Sequence, residues 1–216
     1  MKIVLKARAL MDSARARLVA RPVVAIGVAS VAGQFFNFLA MPILARLFSP
    51  GDFGLFSVYF SFLSIAAVLS SMRYELAIPI PASRVDGMAL LRVAFWMNAV
   101  WAGLLFGVGW VWPHLLVPPL DKLRGVWGQT CLGILTIGIY QAATSWGLRE
   151  RDYGLLARFR IHQGIAQPVA KLGLGWGGLR SGLILGDILG RLLANLLLAV
   201  RLRRELFAKP TRREFR

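Results

Sequence analysis

The chain has 216 residues, of which 57% are hydrophobic and only 17% charged, and its mean hydropathy is +0.61. A soluble domain of this length needs more polar surface to cover its core, so the composition excludes an ordinary globular protein and implies a polytopic membrane protein. A formal net charge of +16 would suggest nucleic acid as a partner in a soluble chain, but here the Lys and Arg sit between apolar runs, which points to anionic membrane lipids and away from nucleic acid.

The expected fold is all-α: a six-transmembrane-helix bundle over 22–200, behind a basic segment at 1–21 and ahead of a basic tail at 201–216. A helix needs roughly 20 apolar residues to cross the hydrocarbon, and six such runs are bounded by charge, Pro or Gly. The first, 22–45, opens at Pro22, a residue suited to a first helical turn, and is too long for a cleaved signal peptide. The second, 53–71, follows Ser49-Pro50-Gly51-Asp52, which supplies a turn and an N-cap. The third, 93–112, closes at Trp112-Pro113, and the fourth covers 125–148. The fifth, 161–179, contains Pro168, which lacks a backbone donor, frees a carbonyl and predicts a kink. The sixth, 181–200, runs into the tail. Positive charge concentrates in 1–21, in the connections after the second and fourth spans, and in the tail, so both termini are expected in the cytoplasm.

Enzyme signals are missing. There is no G-x-S-x-G elbow, phosphate-binding glycine loop or H-E-x-x-H, and His114, His162 and the single Cys131 have no metal-ligand spacing. The reading is of a non-enzyme with no cofactor and no metal, in which Cys131 packs within an apolar run. Polar residues inside the spans say more, because they are costly there and face protein or a water-filled cavity. Asp187, Arg191 and Asn195 fall four apart on the sixth helix, as do Gln163, Gln167 and Lys171 on the fifth. Gln129, Gly133, Thr136, Tyr140 and Thr144 make a stripe on the fourth, Ser57, Ser61 and Ser64 a weaker one on the second, and the first adds Gln34 and Asn37. A bundle around a hydrophilic cleft needs one such edge on most of its helices.

A hairpin of the fifth and sixth helices turning near Gly178 to Arg180 places Lys171 between the levels of Asp187 and Arg191. Two readings follow: a cationic patch for an anionic substrate such as a lipid-linked pyrophosphate, or a structural network that locks the hairpin. Glycines four apart, at Gly103 and Gly107, at Gly173 and Gly177, and at Gly182, Gly186 and Gly190, predict close helix packing.

The stretch QFFNFLAMPILARLFSPGDFGLFSVYFSF, followed by MRYELAIPIPAS, resembles the start of the polysaccharide (O-antigen and teichoic-acid) flippases, relatives of the multidrug and toxin extrusion transporters. The positions that carry the likeness are Leu44, Ala45 and Arg46 at the end of the first helix, Ser49, Pro50, Asp52, Phe53 and Gly54 in the turn, and Arg73 to Pro79 after the second helix. GLILGDILGRLLANLLL is similar to the family's sixth helix. The resemblance implies flipping of undecaprenyl-pyrophosphate-linked oligosaccharide across the bacterial cytoplasmic (inner) membrane, for O-antigen, capsule or similar polysaccharide biosynthesis. The family does this by alternating access between two six-helix bundles. On that reading Gln34, Asn37, Arg46, Gln163, Gln167, Lys171, Asp187 and Arg191 line the substrate path. Lys171, Arg191 and Arg46 attract the anionic head group, and Asp187 orients Arg191. This chain resembles the N-terminal half only, so it reads first as a truncated form, and otherwise as a half completed by a second copy or a separate six-helix half. Rival readings are an ion-coupled small-molecule exporter and a non-transporting membrane fragment or assembly partner.

Overall fold

Six long helices follow one another in the computed structural model, which describes residues 2–70, 73–116 and 118–206. They are α1 (Lys2–Leu47), α2 (Pro50–Ser70), α3 (Arg84–Val111), α4 (Trp127–Arg149), α5 (Tyr153–Trp176) and α6 (Gly182–Leu206). Short 3-10 turns lie at Tyr74–Leu76, Pro113–Leu115 and Leu120–Val126, and among the described residues all regular structure is helical. Among the described residues, four stretches are long and apolar enough to cross a membrane: Ile26–Leu47, Pro50–Ser70, Arg84–Val111 and Leu120–Arg149. Helices α5 and α6 carry more charge within their lengths, including Arg158, Arg160 and Lys171 on one and Asp187 and Arg191 on the other.

The helix ends differ from the apolar runs wherever a cap lies outside the oil. Helix α1 begins at Lys2, so 2–21 and the first run form one helix instead of a basic segment followed by a helix from Pro22. Its early sequence is rich in Ala, Leu, Lys and Arg, which favour helix without needing an apolar surrounding. Helix α3 starts at Arg84 and not near 93, because the Ser83 hydroxyl accepts from the Val85 amide at 3.2 Å. Helix α5 starts at Tyr153 and not near 161, because the Asp152 carboxylate accepts from the Leu155 amide at 3.0 Å. Both are N-cap bonds, which satisfy amides that the first turn leaves without a helical acceptor. At α2 the anticipated turn is a reciprocal cap: the Ser49 amide donates to Asp52 Oδ2 at 2.9 Å, and the Asp52 amide donates to Ser49 Oγ at 3.2 Å. The tail is helical to Leu206, and 207–216 lie outside the described residues.

Helix α5 packs between α1 and α6, while α4 packs against α3, α6 and α2. The largest core joins Tyr59, Leu63 and Ala66 of α2 to Trp127, Cys131 and Ile134 of α4 and to Ile184 and Ile188 of α6, so Cys131 is packed as expected. A second core forms around Ile78, Leu91, Trp146 and Phe159, and a third joins Leu44 and Phe48 to Leu183. Large apolar side chains such as Phe38, Trp96 and Trp110 are exposed, as a surface turned to lipid requires.

The segment after α2 is pinned to α4. Arg73 adopts a left-handed backbone (φ 63°), Tyr74–Leu76 form a 3-10 turn, and the side chain of Ile78 is fully buried. Arg149 donates through Nη1 to the Ile78 carbonyl at 2.8 Å and through Nη2 to the Ser83 carbonyl at 2.7 Å. Gly87 leaves the space that the guanidinium fills: a Cβ there would stand 2.6 Å from Arg149 Cζ. In this chain the Arg-Tyr-Glu-Leu-Ala-Ile-Pro segment is therefore a folded corner clamped by a planar fork of donors.

Candidate functional site

The site begins with the three glycines on one face of α6. A Cβ on Gly182 would stand 3.2 Å from Leu174 Cβ, one on Gly186 would stand 2.6 Å from the Lys171 backbone nitrogen, and one on Gly190 would stand 2.6 Å from Gln167 Cα. Small residues four apart thus bring the backbones of α5 and α6 together, the geometry that such repeats allow. The identical spacing at Gly103 and Gly107 does not do this, since nothing lies within 4 Å of a Cβ at either position.

With the backbones so close, Gln167 and Lys171 reach across to Asp187, which is 2% exposed. Gln167 Nε2 donates to Asp187 Oδ1 at 3.1 Å, and Lys171 Nζ stands 4.0 Å from the same oxygen. Arg191, one turn further along α6, places Nη2 2.9 Å from Oδ2 and 3.1 Å from Oδ1. From α2, the fully buried Tyr59 donates its hydroxyl to Oδ2 at 3.1 Å, and Gly133 of α4 provides the room for its ring. Lys171 Nζ also lies 4.6 Å from the centre of the Phe56 ring, a cation–π contact.

Charge and hydrogen bonding at the cluster do not balance. Two cations face one carboxylate, and all three side chains are buried. Lys171 is beyond hydrogen-bond distance of Asp187, and Arg191 Nη1 is buried with no acceptor among the described residues. The cluster therefore holds a surplus of one positive charge and of N–H donors, and the chemical group that would satisfy both is an anion. One turn beyond Arg191, Asn195 Nδ2 donates to the Thr136 carbonyl at 2.9 Å, while Asn98 of α3 donates to the neighbouring Leu135 carbonyl at 2.9 Å. These bonds fix α6 and α3 to adjacent carbonyls of α4. At the turn end of the bundle, an open cleft of about 580 Å³ is lined by Phe48, Ser49, Asp52, Leu179 and Arg180.

Of the residues that the sequence proposes for a substrate path, the fold brings together Gln167, Lys171, Asp187 and Arg191. Gln34 is exposed on α1, Gln163 is half-buried on α5, and Arg46 is exposed in the last turn of α1. Asn37 sits at the crossing of α1 and α5, where Nδ2 donates to the Gly33 carbonyl at 3.0 Å and to the Gly164 carbonyl at 3.3 Å. Ser57, Ser61 and Ser64 of α2 are exposed, on the side of the helix away from Tyr59. Tyr59 and Asn98, and the Phe56 ring beneath Lys171, belong to the framework that the sequence reading missed. A signal for Tyr59 existed, because it shares a helical face with Leu63, Ala66 and Ser70 and is the only tyrosine of α2.

Comparison of the chain with protein-family models, with curated proteins and with solved structures finds no match.

Proposed function

We propose that the chain is a transporter of the polysaccharide flippase type, with six spans and both termini cytoplasmic, in a bacterial inner membrane. It would move lipid-linked oligosaccharide for surface polysaccharide synthesis. The observation that carries this reading is the surplus positive charge held by Lys171 and Arg191 around Asp187, buried among helices of which several are apolar enough to cross a membrane. An isolated charge at the bilayer centre costs about 2.5 to 3.5 kcal/mol, and a pyrophosphate head group would supply the missing counter-charge and accept from the free donors. The resemblance of 34–62 and 72–83 to the family's first hairpin supports the same assignment. Asp187 would hold Arg191 in place while Lys171, on a longer and looser contact, engages the head group. Arg46 and the exposed polar face of α1 and α2, with Gln34, Ser57 and Ser61, would meet the second bundle, whether a second copy or a separate half.

One observation favours a structural reading instead. Asp187 is contacted from α2, α5 and α6, so the cluster also ties three helices together. Reconstitution separates the two. Liposomes carrying the chain and a fluorescent lipid-linked oligosaccharide are expected to move the probe faster than empty liposomes. Lys171→Met and Arg191→Met, which retain side-chain bulk, should lower that rate about tenfold or more, the loss expected for one charged hydrogen bond. Wild-type transport no faster than that of empty liposomes contradicts the flippase reading, and full transport by both variants assigns the cluster a structural role.

A further inference from the structure

Pro168 is buried in the middle of α5. It has no N–H, so the Gly164 carbonyl, four residues earlier, is left without its donor from within the helix. That carbonyl is served from the neighbouring helix: Asn37 Nδ2 of α1 donates to it at 3.3 Å while also donating to the Gly33 carbonyl at 3.0 Å. The reach is possible because two glycines let the backbones touch. A Cβ on Gly33 would stand 3.2 Å from Gly164 Cα, and one on Gly164 would overlap Gly33 Cα. One turn earlier, Arg160 Nη1 donates to Ser30 Oγ at 3.2 Å, a second tie between α1 and the first half of α5.

Past this point α5 lies between α1 and α6, with Phe48 and Leu47 of α1 still against Gly175. The backbones at Gln167 and Lys171 lie on Gly190 and Gly186 of α6, and both side chains turn to Asp187. Helix α1 packs on α5 on both sides of Pro168, and Lys171 just beyond Pro168 reaches Asp187 of α6, so the joint that lacks one of its own hydrogen bonds lies directly beside the cation cluster.

We infer that Gly164–Pro168 is a hinge in α5 and that Asn37 is the latch that holds it in the conformation described here. With the latch released, α5 opens at this joint, and Lys171, on the first turn beyond it, shifts from Asp187. Movement of α1 is in this way coupled to the opening of the cation cluster. It rests on the two Asn37 hydrogen bonds and the close crossing of α1 and α5, and stands whether or not the chain flips lipid-linked sugars.

A double-variant comparison on the full chain in detergent micelles tests it, read by hydrogen exchange of the amides at 169–172. Asn37→Ala is expected to speed that exchange about fivefold, the effect of one ordinary hydrogen bond. Pro168→Ala restores an N–H to the Gly164 carbonyl, so it should slow exchange, and Asn37→Ala added to it should have almost no further effect. An equal effect of Asn37→Ala in both backgrounds, or none in the wild type, overturns the latch. Should Asn37→Ala alone fail to fold, recovery of folded protein in the Pro168→Ala background supports the latch, and failure of the double variant overturns it.

Discussion

At the scale of single residues, Asp187 accepts from Tyr59, Gln167 and Arg191 and stands 4.0 Å from Lys171 Nζ, so side chains of three helices depend on one negative charge. Removing that charge leaves two buried cations facing each other. Breaking a buried ion pair from one side typically costs about 3 to 5 kcal/mol, so Asp187→Asn is expected to depress or abolish the thermal transition in detergent. Adding Lys171→Met and Arg191→Met to the same chain should recover much of it, because no uncompensated charge then remains. Tyr59→Phe removes one hydrogen bond to a carboxylate and should destabilise by about 1.5 to 3 kcal/mol. Ser64→Ala is the contrast: Ser64 is exposed and donates only to the Phe60 carbonyl of its own helix, so its midpoint should match the wild type. An equal loss in both variants would mean that the Tyr59 bond contributes nothing of its own.

At the scale of elements, the α5–α6 pair depends on its glycine face. Gly186→Val and Gly190→Val push branched carbons into the backbone of α5 and are expected to separate the pair, read as loss of the folded, monodisperse species on size exclusion. Gly103→Ala meets open space and replaces a poor helix former by the best one, so it should be neutral or stabilising by up to about 1 kcal/mol. This contrast also shows what the sequence could and could not tell. The α5–α6 site was legible because two signals coincided on α6, glycines four apart and polar residues four apart, and a short hairpin fixes the level at which Lys171 meets Asp187. The repeat at Gly103 was indistinguishable by spacing, because a stripe of glycines says that a close approach is possible and not that a helix is there to make it. Helices α3 and α5 start ahead of their apolar runs because hydropathy scores oil, whereas Ser83 and Asp152 start helices by capping amides in polar sequence. Tyr59 was hidden inside an apolar run, and only the packing of α2 on α4 and α6 turns its hydroxyl to Asp187.

At the scale of the whole molecule, four helical stretches among the described residues are apolar enough to cross a membrane by themselves, and α5 and α6 bring their charges into contact with other helices. The proposed arrangement of six spans with both ends on the cytoplasmic side predicts that reporter domains fused at residue 1 and residue 216 respond alike. A cytoplasmically active reporter should work at both ends and a periplasmically active one at neither. Opposite responses would require an odd number of crossings. The most direct test of the buried positive charge as a recognition site is a binding comparison on the purified chain, with polyprenyl pyrophosphate set against the uncharged polyprenol of the same length. The pyrophosphate lipid should bind at least about tenfold more tightly, and folded Lys171→Met and Arg191→Met proteins should lose that preference. Equal affinity for the two lipids, or a preference that survives in both variants, would contradict it.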